Sequence, residues 1–407
     1  MKVYVVGGAI RDELLGKPAK DRDYVVVGAT PKQMMAQGFR PVGKNFPVFL
    51  HPRSQEEYAL ARTERKIAAG YHGFQFFYTP NVTLEEDLAR RDLTINAMAR
   101  AVSPDGGMHG PIIDPFNGQM DLQSRIFRHV SDAFAEDPVR IIRVARLATR
   151  FTNFIVAPQT LLLMRQMVIA KEADTLVPER IWQEFSRGLM EQEPSRMFYI
   201  LHQCGALRRI LPEASRLFDI PENHAVTHAM MVIDYSAARN YALPVRFAAL
   251  AHNLCEINAP PHVLSRYMRY KERSVEHILQ LCKRLRAPSD CRDLAVLVAH
   301  EYGNIHRVME MRTTTLLHML ERIDVFRRPA RFMQALQAYE ANFHGRLSFS
   351  FHAHPRVERF LVATIAARGV DAGAIAHRTF GGPACIKEAL HAARIQAIKC
   401  AIQESIR

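Results

Sequence analysis

No apolar run in the 407-residue sequence approaches the roughly 18 residues needed to cross a bilayer, so no membrane-spanning helix is expected. The six cysteines, at 204, 255, 282, 291, 385 and 400, form no CxxC pair and no metal-ligand spacing. They are expected to be reduced, mostly buried thiols, and no zinc site is expected. Internal repeats and low-complexity tails are missing as well. The opening apolar stretch, Val3 to Ile10, is short, contains Gly7 and Gly8, and runs directly into Arg11 and Asp12. That is the wrong grammar for a signal peptide, and a cytoplasmic location is the expectation. Acidic residues are outnumbered, with 41 Asp and Glu against 54 Lys and Arg, for a formal charge of +13. Such an excess attracts polyanions, nucleic acid first among them, although a basic surface can also simply keep a protein soluble.

What is present divides the chain in two. A chain of this length is expected to hold two to four domains. Residues 1 to about 125 mix short β-branched runs (KVYVV, DYVVVG, PVFLHP, EYALART) with glycine and proline turns and helical stretches such as TPKQMMAQG. From about residue 130 the strand signals disappear, and long apolar-periodic segments such as DPVRIIRVARLATRF, PERIWQEFSRGLM and PSRMFYILHQCGALRRIL take over. The fold class expected is α+β, a mixed sheet with helices followed by an all-α remainder. Candidate breaks lie near Pro158 and Pro178, between Pro212 and Asn223, and at Ala259-Pro260-Pro261.

The first 25 residues carry the most chemistry. A strand runs into Gly7-Gly8 and then into a short helix, a layout in which glycines let backbone approach a ligand and the helix N-terminus offers N–H groups to an anion. Just beyond, Asp21 and Asp23 flank Arg22. Residues two apart on a strand project from one face, so these carboxylates should converge. Adjacent acids repel unless a cation compensates, and hard oxygen ligands suit Mg²⁺, which also binds triphosphate oxygens. A solvated acidic turn is the plain alternative, but the order strand, Gly-Gly, helix, DxD, strand points to two-metal phosphoryl transfer.

GGAIRD followed by DRDYVVVG resembles the signature of class II nucleotidyltransferases, the superfamily that includes bacterial CCA-adding enzymes and poly(A) polymerases. Further motifs follow in order: LEEDLARRDLTINAMA at 84–99 is similar to the RRD motif, IIDPFNGQMDL at 112–122 to the hinge motif, AEDPVRIIRVARL at 135–147 to the EDxxR motif, and PERIWQE at 178–184 to the helix-stabilising motif. The match is dense over about the first 210 residues. It implies a nucleotidyltransferase head (1–125), a helical neck and body that select the nucleotide (126–225), an HD-like helical domain (226–330) and a helical tail (331–407). The implied activity is template-independent addition of CCA to tRNA 3′ ends from CTP and ATP, by a monomer or homodimer.

By the same resemblance, Asp21 and Asp23 would hold the metals, and Glu64 would add a third carboxylate. A surface ion pair with Arg62, Arg65 or Lys66 is the alternative for Glu64. Gly8 and Arg11 would contact triphosphate, Arg91 would hold phosphate with help from Arg90, and Asp92 would accept from the ribose 2′-hydroxyl. Thr94 and Asn96 would brace local backbone. Asp137 would accept from an exocyclic amine while Arg140 donates to ring acceptors, a pattern that cytosine and adenine share and that guanine and uracil lack. Arg140, Arg143, Arg146 and Arg150 fall within an arc of about 120° on one helix face. Arg143 would reach phosphate, whereas Arg146 and Arg150 would either face solvent or contact tRNA backbone. KIAAGYHG, at 66–73, occupies the position of the family's flexible loop.

The C-terminal half departs from the pattern. Where relatives with an HD phosphohydrolase domain carry His-Asp, this chain reads His252-Asn253, with His228, His300 and His306 also available. A neutral amide binds a hard cation far more weakly than a carboxylate does, so the fold is expected to persist without the hydrolase. The alternatives are a poly(A) polymerase using ATP only, a non-catalytic tRNA-binding protein and an HD hydrolase with a vestigial head. VGKNFPVFLHP, in place of a GRRF-type run, weighs against the first; intact acids and arginines weigh against the second; the damaged His-Asp pair weighs against the third.

Overall fold

Among the described residues there are eleven strands: β1 (Lys2–Val6), β2 (Asp23–Val27), β3 (Arg40–Val42), β4 (Val48–Leu50), β5 (Glu57–Leu60), β6 (Thr63–Lys66), β7 (Phe74–Phe77), β8 (Ala99–Val102), β9 (Met108–Ile113), β10 (Ile126–Phe127) and β11 (Ile155–Val156). They belong to a computed structural model that describes residues 1–18, 22–42, 48–66, 74–103, 106–219, 224–256, 267–345 and 355–405, without the side chains of 64–66, 74–76, 224, 255–256 and 267–273. Seven strands form one mixed sheet in the order β3-β4-β5-β2-β1-β8-β9, in which only β2 and β5 run parallel. Both faces of its centre are covered. Val5, Tyr24 and Val26 enter one apolar cluster, while Val6 and Val25 enter another, which is why KVYVV and DYVVV read as nearly continuous apolar runs rather than as alternations.

The helices of the first half are α1 (Gly8–Leu14), α2 (Pro31–Ala36), α3 (Leu84–Ala89), α4 (Gly118–Gln123), α5 (Val139–Arg150), α6 (Pro158–Ile169), α7 (Pro178–Leu189), α8 (Ser195–Gln203) and α9 (Ala206–Ile210). α2 and α3 begin with capping boxes, Thr30 with Gln33 and Thr83 with Glu86. After these come α10 (Pro212–Phe218), α11 (His224–Ala238), α12 (Leu243–Glu256), α13 (Tyr267–Leu285), α14 (Ser289–His306), α15 (Thr313–Arg322), α16 (Pro329–His344), α17 (Pro355–Arg368), α18 (Ala372–Arg378) and α19 (Pro383–Glu404). The α+β class with an all-α remainder is therefore observed. One strand lies beyond residue 130, since β11 pairs in parallel with β10, but a two-residue pairing is too short to give an alternation signal.

The chain forms two compact units, Met1–Gly188 with Arg196–Pro212, and Leu189–Ser195 with Glu213–Arg407. Of the described cysteines, Cys204, Cys282 and Cys291 are buried, whereas Cys385 and Cys400 are exposed. Burial pushes the thiols of Cys204 and Cys282 up to about 11 and that of Cys291 up to about 12, so none of the three is a ready nucleophile. Among the described residues no single helix is long and apolar enough to cross a membrane. The Ala259-Pro260-Pro261 break and residues 67–73 of KIAAGYHG lie outside the described residues.

Candidate active site

The register of β1 on β2 pairs Val6 with Asp23, so the turn that leaves β1 sits beside the first residue of β2. Gly7 caps α1 in the left-handed region, at φ 74°, and a Cβ there would stand 3.0 Å from Nη1 of Arg91. Glycine is therefore required both by the backbone and by the close approach of a guanidinium. Around this turn opens a cavity of about 680 Å³, lined by residues from the ends of β1 and α3, from β2, β4 and β5, and from the facing sides of α1, α5 and α7. Ten arginines and five acids line it, a balance suited to a triphosphate.

A chain of alternating charge runs through the wall. Arg150 donates to Asp12 at 2.9 Å, and Asp12 also accepts two bonds from Arg11 at 2.9 and 2.8 Å. Arg11 donates to Asn96 Oδ1 at 2.6 Å, and Asn96 Nδ2 donates to Asp92 at 3.0 Å. Asp92 accepts from Arg143 at 2.9 Å, and Glu184 on α7 completes the run by pairing with Arg143 at 3.7 Å and with Arg146. Burial alone would raise the Asp92 pKa, but Arg143, the Asn96 hydrogen bond and Arg140 overcome it and hold the carboxyl well below the usual range. Asp92 in turn, with Glu184 adding to it, raises the pKa of Arg143 against the cost of burial. Arg11 moves the other way, lowered by burial despite its bonds to Asp12.

Asp87, buried on α3, anchors the RRD arginines. Arg90 donates to it at 3.1 and 2.6 Å and Arg91 at 3.2 Å, which fixes both guanidiniums as they leave the helix. Asp137 is held by two bonds from Arg180, at 3.0 and 2.8 Å. Arg140 commits Nη1 and Nη2 to the carbonyls of Ala133 and Arg90 at 2.8 and 2.6 Å.

Gly8, Arg11, Asp23, Arg91, Asp92, Asp137, Arg140 and Arg143 all line the one cavity. Asp21 lies outside the described residues, as does the side chain of Glu64, whose backbone pairs with Phe76 in the β6–β7 hairpin. Three expectations need adjustment. Asp92, expected to face a ribose hydroxyl, is buried and already accepts from Leu93 N, Asn96 and Arg143. Arg146 and Arg150 also line the cavity and are ion-paired to Glu184 and Asp12 rather than turned to solvent. Asn96 does more than brace backbone, since it links Arg11 to Asp92. Sequence reasoning missed Asp12, Asp87, Arg180 and Glu184 as parts of the wall. For the last two a signal existed, because Arg180 and Glu184 stand four apart in PERIWQE and so share a helix face.

Residues 3–128 match the family model described as the poly A polymerase head domain, and residues 153–218 one described as a probable RNA and SrmB-binding site of polymerase A. Over 409 residues the chain is 64% identical to the multifunctional CCA protein of Paraburkholderia phytofirmans, with 99% of this chain and 100% of that one covered. The multifunctional CCA protein of Paraburkholderia phymatum is 62% identical over 412 residues, with 100% and 99% covered. The chain belongs to the multifunctional CCA protein family. Its fold is similar to that of the Thermotoga maritima CCA-adding enzyme complexed with tRNA, with a TM-score of 0.63 and 18% identity over 99% of this chain and 91% of that one. Membership in a nucleotidyltransferase family implies a need for a divalent metal. Among the described residues the Asp23 carboxylate accepts no hydrogen bond and makes no ion pair, which leaves a hard oxygen donor open to the cavity where such an ion would be needed.

Proposed function

We propose that the chain adds C, C and A in turn to the 3′ end of tRNA, in the cytoplasm, using CTP and ATP and releasing pyrophosphate. The single observation that carries this reading is the arginine-rich cavity in which the Gly7-Gly8 turn, Asp23 and the Asp137–Arg180 pair meet. The head (1–125) and the helical neck and body (126–225) supply it. Mg²⁺, held by Asp23 together with Asp21, would neutralise triphosphate charge and make the tRNA 3′-hydroxyl a better nucleophile. Gly8 lets the triphosphate approach the turn, and Arg11, Arg91 and Arg143 offer it donors from a rigid wall. Asp137, fixed by Arg180, presents an acceptor to an exocyclic amine, while Arg140, whose Nη1 and Nη2 bond the carbonyls of Ala133 and Arg90, lines the cavity beside it and holds that wall in place. Asp92 orients Arg143 and Asn96, with Glu64 as a further acid of the head.

Incubation with CTP, ATP and a tRNA lacking its terminal CCA tests the reading. Two C and one A in order are expected, with incorporation at least about 10³-fold lower in Asp23→Ala. Long A tracts without C would select a poly(A) polymerase, and undiminished incorporation in Asp23→Ala would refute the site.

Residues 226–330 are further proposed to be an HD-like domain without hydrolase activity, ahead of a helical tail at 331–407. Asn253 supports this: its buried amide donates to the Ala249 carbonyl at 2.8 Å and to Asn342, while the His252 ring packs 3.9 Å from that of Tyr302. What Asn253 could offer a cation is its neutral amide oxygen, a far weaker hard-metal donor than the carboxylate of a His-Asp pair.

A further inference from the structure

We propose that His318, Glu321 and His391 form a binding site for a divalent transition ion of the Zn²⁺ or Ni²⁺ class, joining α15 to α19 on the C-terminal unit. Their ligating atoms all lie within 4.8 Å of one another. Nδ1 of His391 stands 3.2 Å from Glu321 Oε1, Nδ1 of His318 stands 3.6 Å from Glu321 Oε2, and the two imidazole rings are 4.7 Å apart. A tetrahedral ion with ordinary Zn–N and Zn–O lengths needs donors about 3.3 Å apart, so small side-chain rotations suffice to close the set.

The helices pre-place these groups. On α15, Leu316, Leu317, Met319 and Leu320 enter the apolar cluster, which leaves His318 outward and Glu321 one turn on, on the same side. On α19, Ile395, Ile398 and Ile402 pack in the same cluster, and His391 continues their stripe one turn earlier. The anchors are thus core residues, while the donors reach solvent, with side chains 64%, 34% and 27% exposed for His318, Glu321 and His391. Cations nearby are engaged elsewhere: Arg322 makes two bonds to Glu301, at 3.0 and 2.8 Å, and Arg394 lies 3.9 Å from the Phe326 ring centroid. Two imidazoles and one carboxylate favour a late first-row ion over Mg²⁺, and three protein ligands leave a position for water.

Full-length protein, stripped with chelator and kept in millimolar Mg²⁺ to fill hard-oxygen sites, is titrated with Zn²⁺ by calorimetry, and with Co²⁺ by visible absorption. One equivalent is expected to bind the wild type and raise its Tm. Affinity for that equivalent is expected to fall at least tenfold in His318→Gln, an exposed and fold-neutral change, and in His391→Ala, with CCA addition unchanged in both. Equal stoichiometry and affinity in wild type and His318→Gln would overturn the site and leave Glu321 as a simple hydrogen-bond partner of His391. A Co²⁺ titration without a visible band that His318→Gln removes would overturn it equally.

Discussion

Gly7 shows how much one residue carries. Its φ of 74° and the 3.0 Å between its missing Cβ and Arg91 Nη1 mean that Gly7→Ala strains the backbone and pushes a cavity-lining guanidinium aside. The expected cost is about 1–2 kcal/mol in urea unfolding, accompanied by a loss of nucleotide incorporation larger than the loss of stability explains. Asp92 works through charge. Its carboxyl is held below the usual range, so it contributes stability that is fully present above the unfolded value of about 3.9 and is lost as pH falls through the lower folded value. Asp92→Asn should therefore cost about 3 kcal/mol at neutral pH and flatten the fall in Tm below about pH 4, as thermal melts from about pH 3 to 7 would show. A mutant whose acid limb matches the wild type would mean that Asp92 is not ion-paired in solution.

Elements meet through these same charges. Asp12 ties α1 to α5, since Arg11 and Arg150 both bind it, and the Phe151 ring lies about 5 Å from the cationic groups of Arg11, Lys17 and Arg150. Glu184 and Arg180 bring α7 to α5 and to the acid that precedes it. The Asp137 carboxylate is fixed by Arg180, which holds both of its oxygens, and by the Val139 N–H, which donates to Oδ1 at 3.1 Å. Arg180→Ala is expected to reduce the ratio of kcat/KM for CTP over that for UTP by about tenfold or more, with the far-UV spectrum unchanged. Arg180→Lys should restore little, because an ammonium cannot reproduce the two-pronged grip. Unchanged discrimination in both variants would remove Asp137 from nucleotide selection.

At the scale of the whole molecule, the two compact units carry different expectations. For the C-terminal unit, no divalent-metal phosphatase or 2′,3′-cyclic phosphodiesterase turnover is expected, because Asn253 puts a neutral amide oxygen where a charged carboxylate would be needed to hold a hard cation. Robust turnover that disappears in His252→Ala would reverse that. Much of the first unit was legible in the sequence: the Gly-Gly turn, the ordered motifs and the arginine face of α5 are all local patterns, set by residues a few positions apart. That residues 252–253 read His-Asn rather than His-Asp is likewise plain from two letters. Only tertiary structure could pair Asp12 with Arg150, 138 positions away, Asp137 with Arg180, or Glu321 with His391, 70 positions away. Helical periodicity says which residues share a face, but not which face meets which; packing of the apolar stripes decides that, and the charges at their margins find their partners as a consequence.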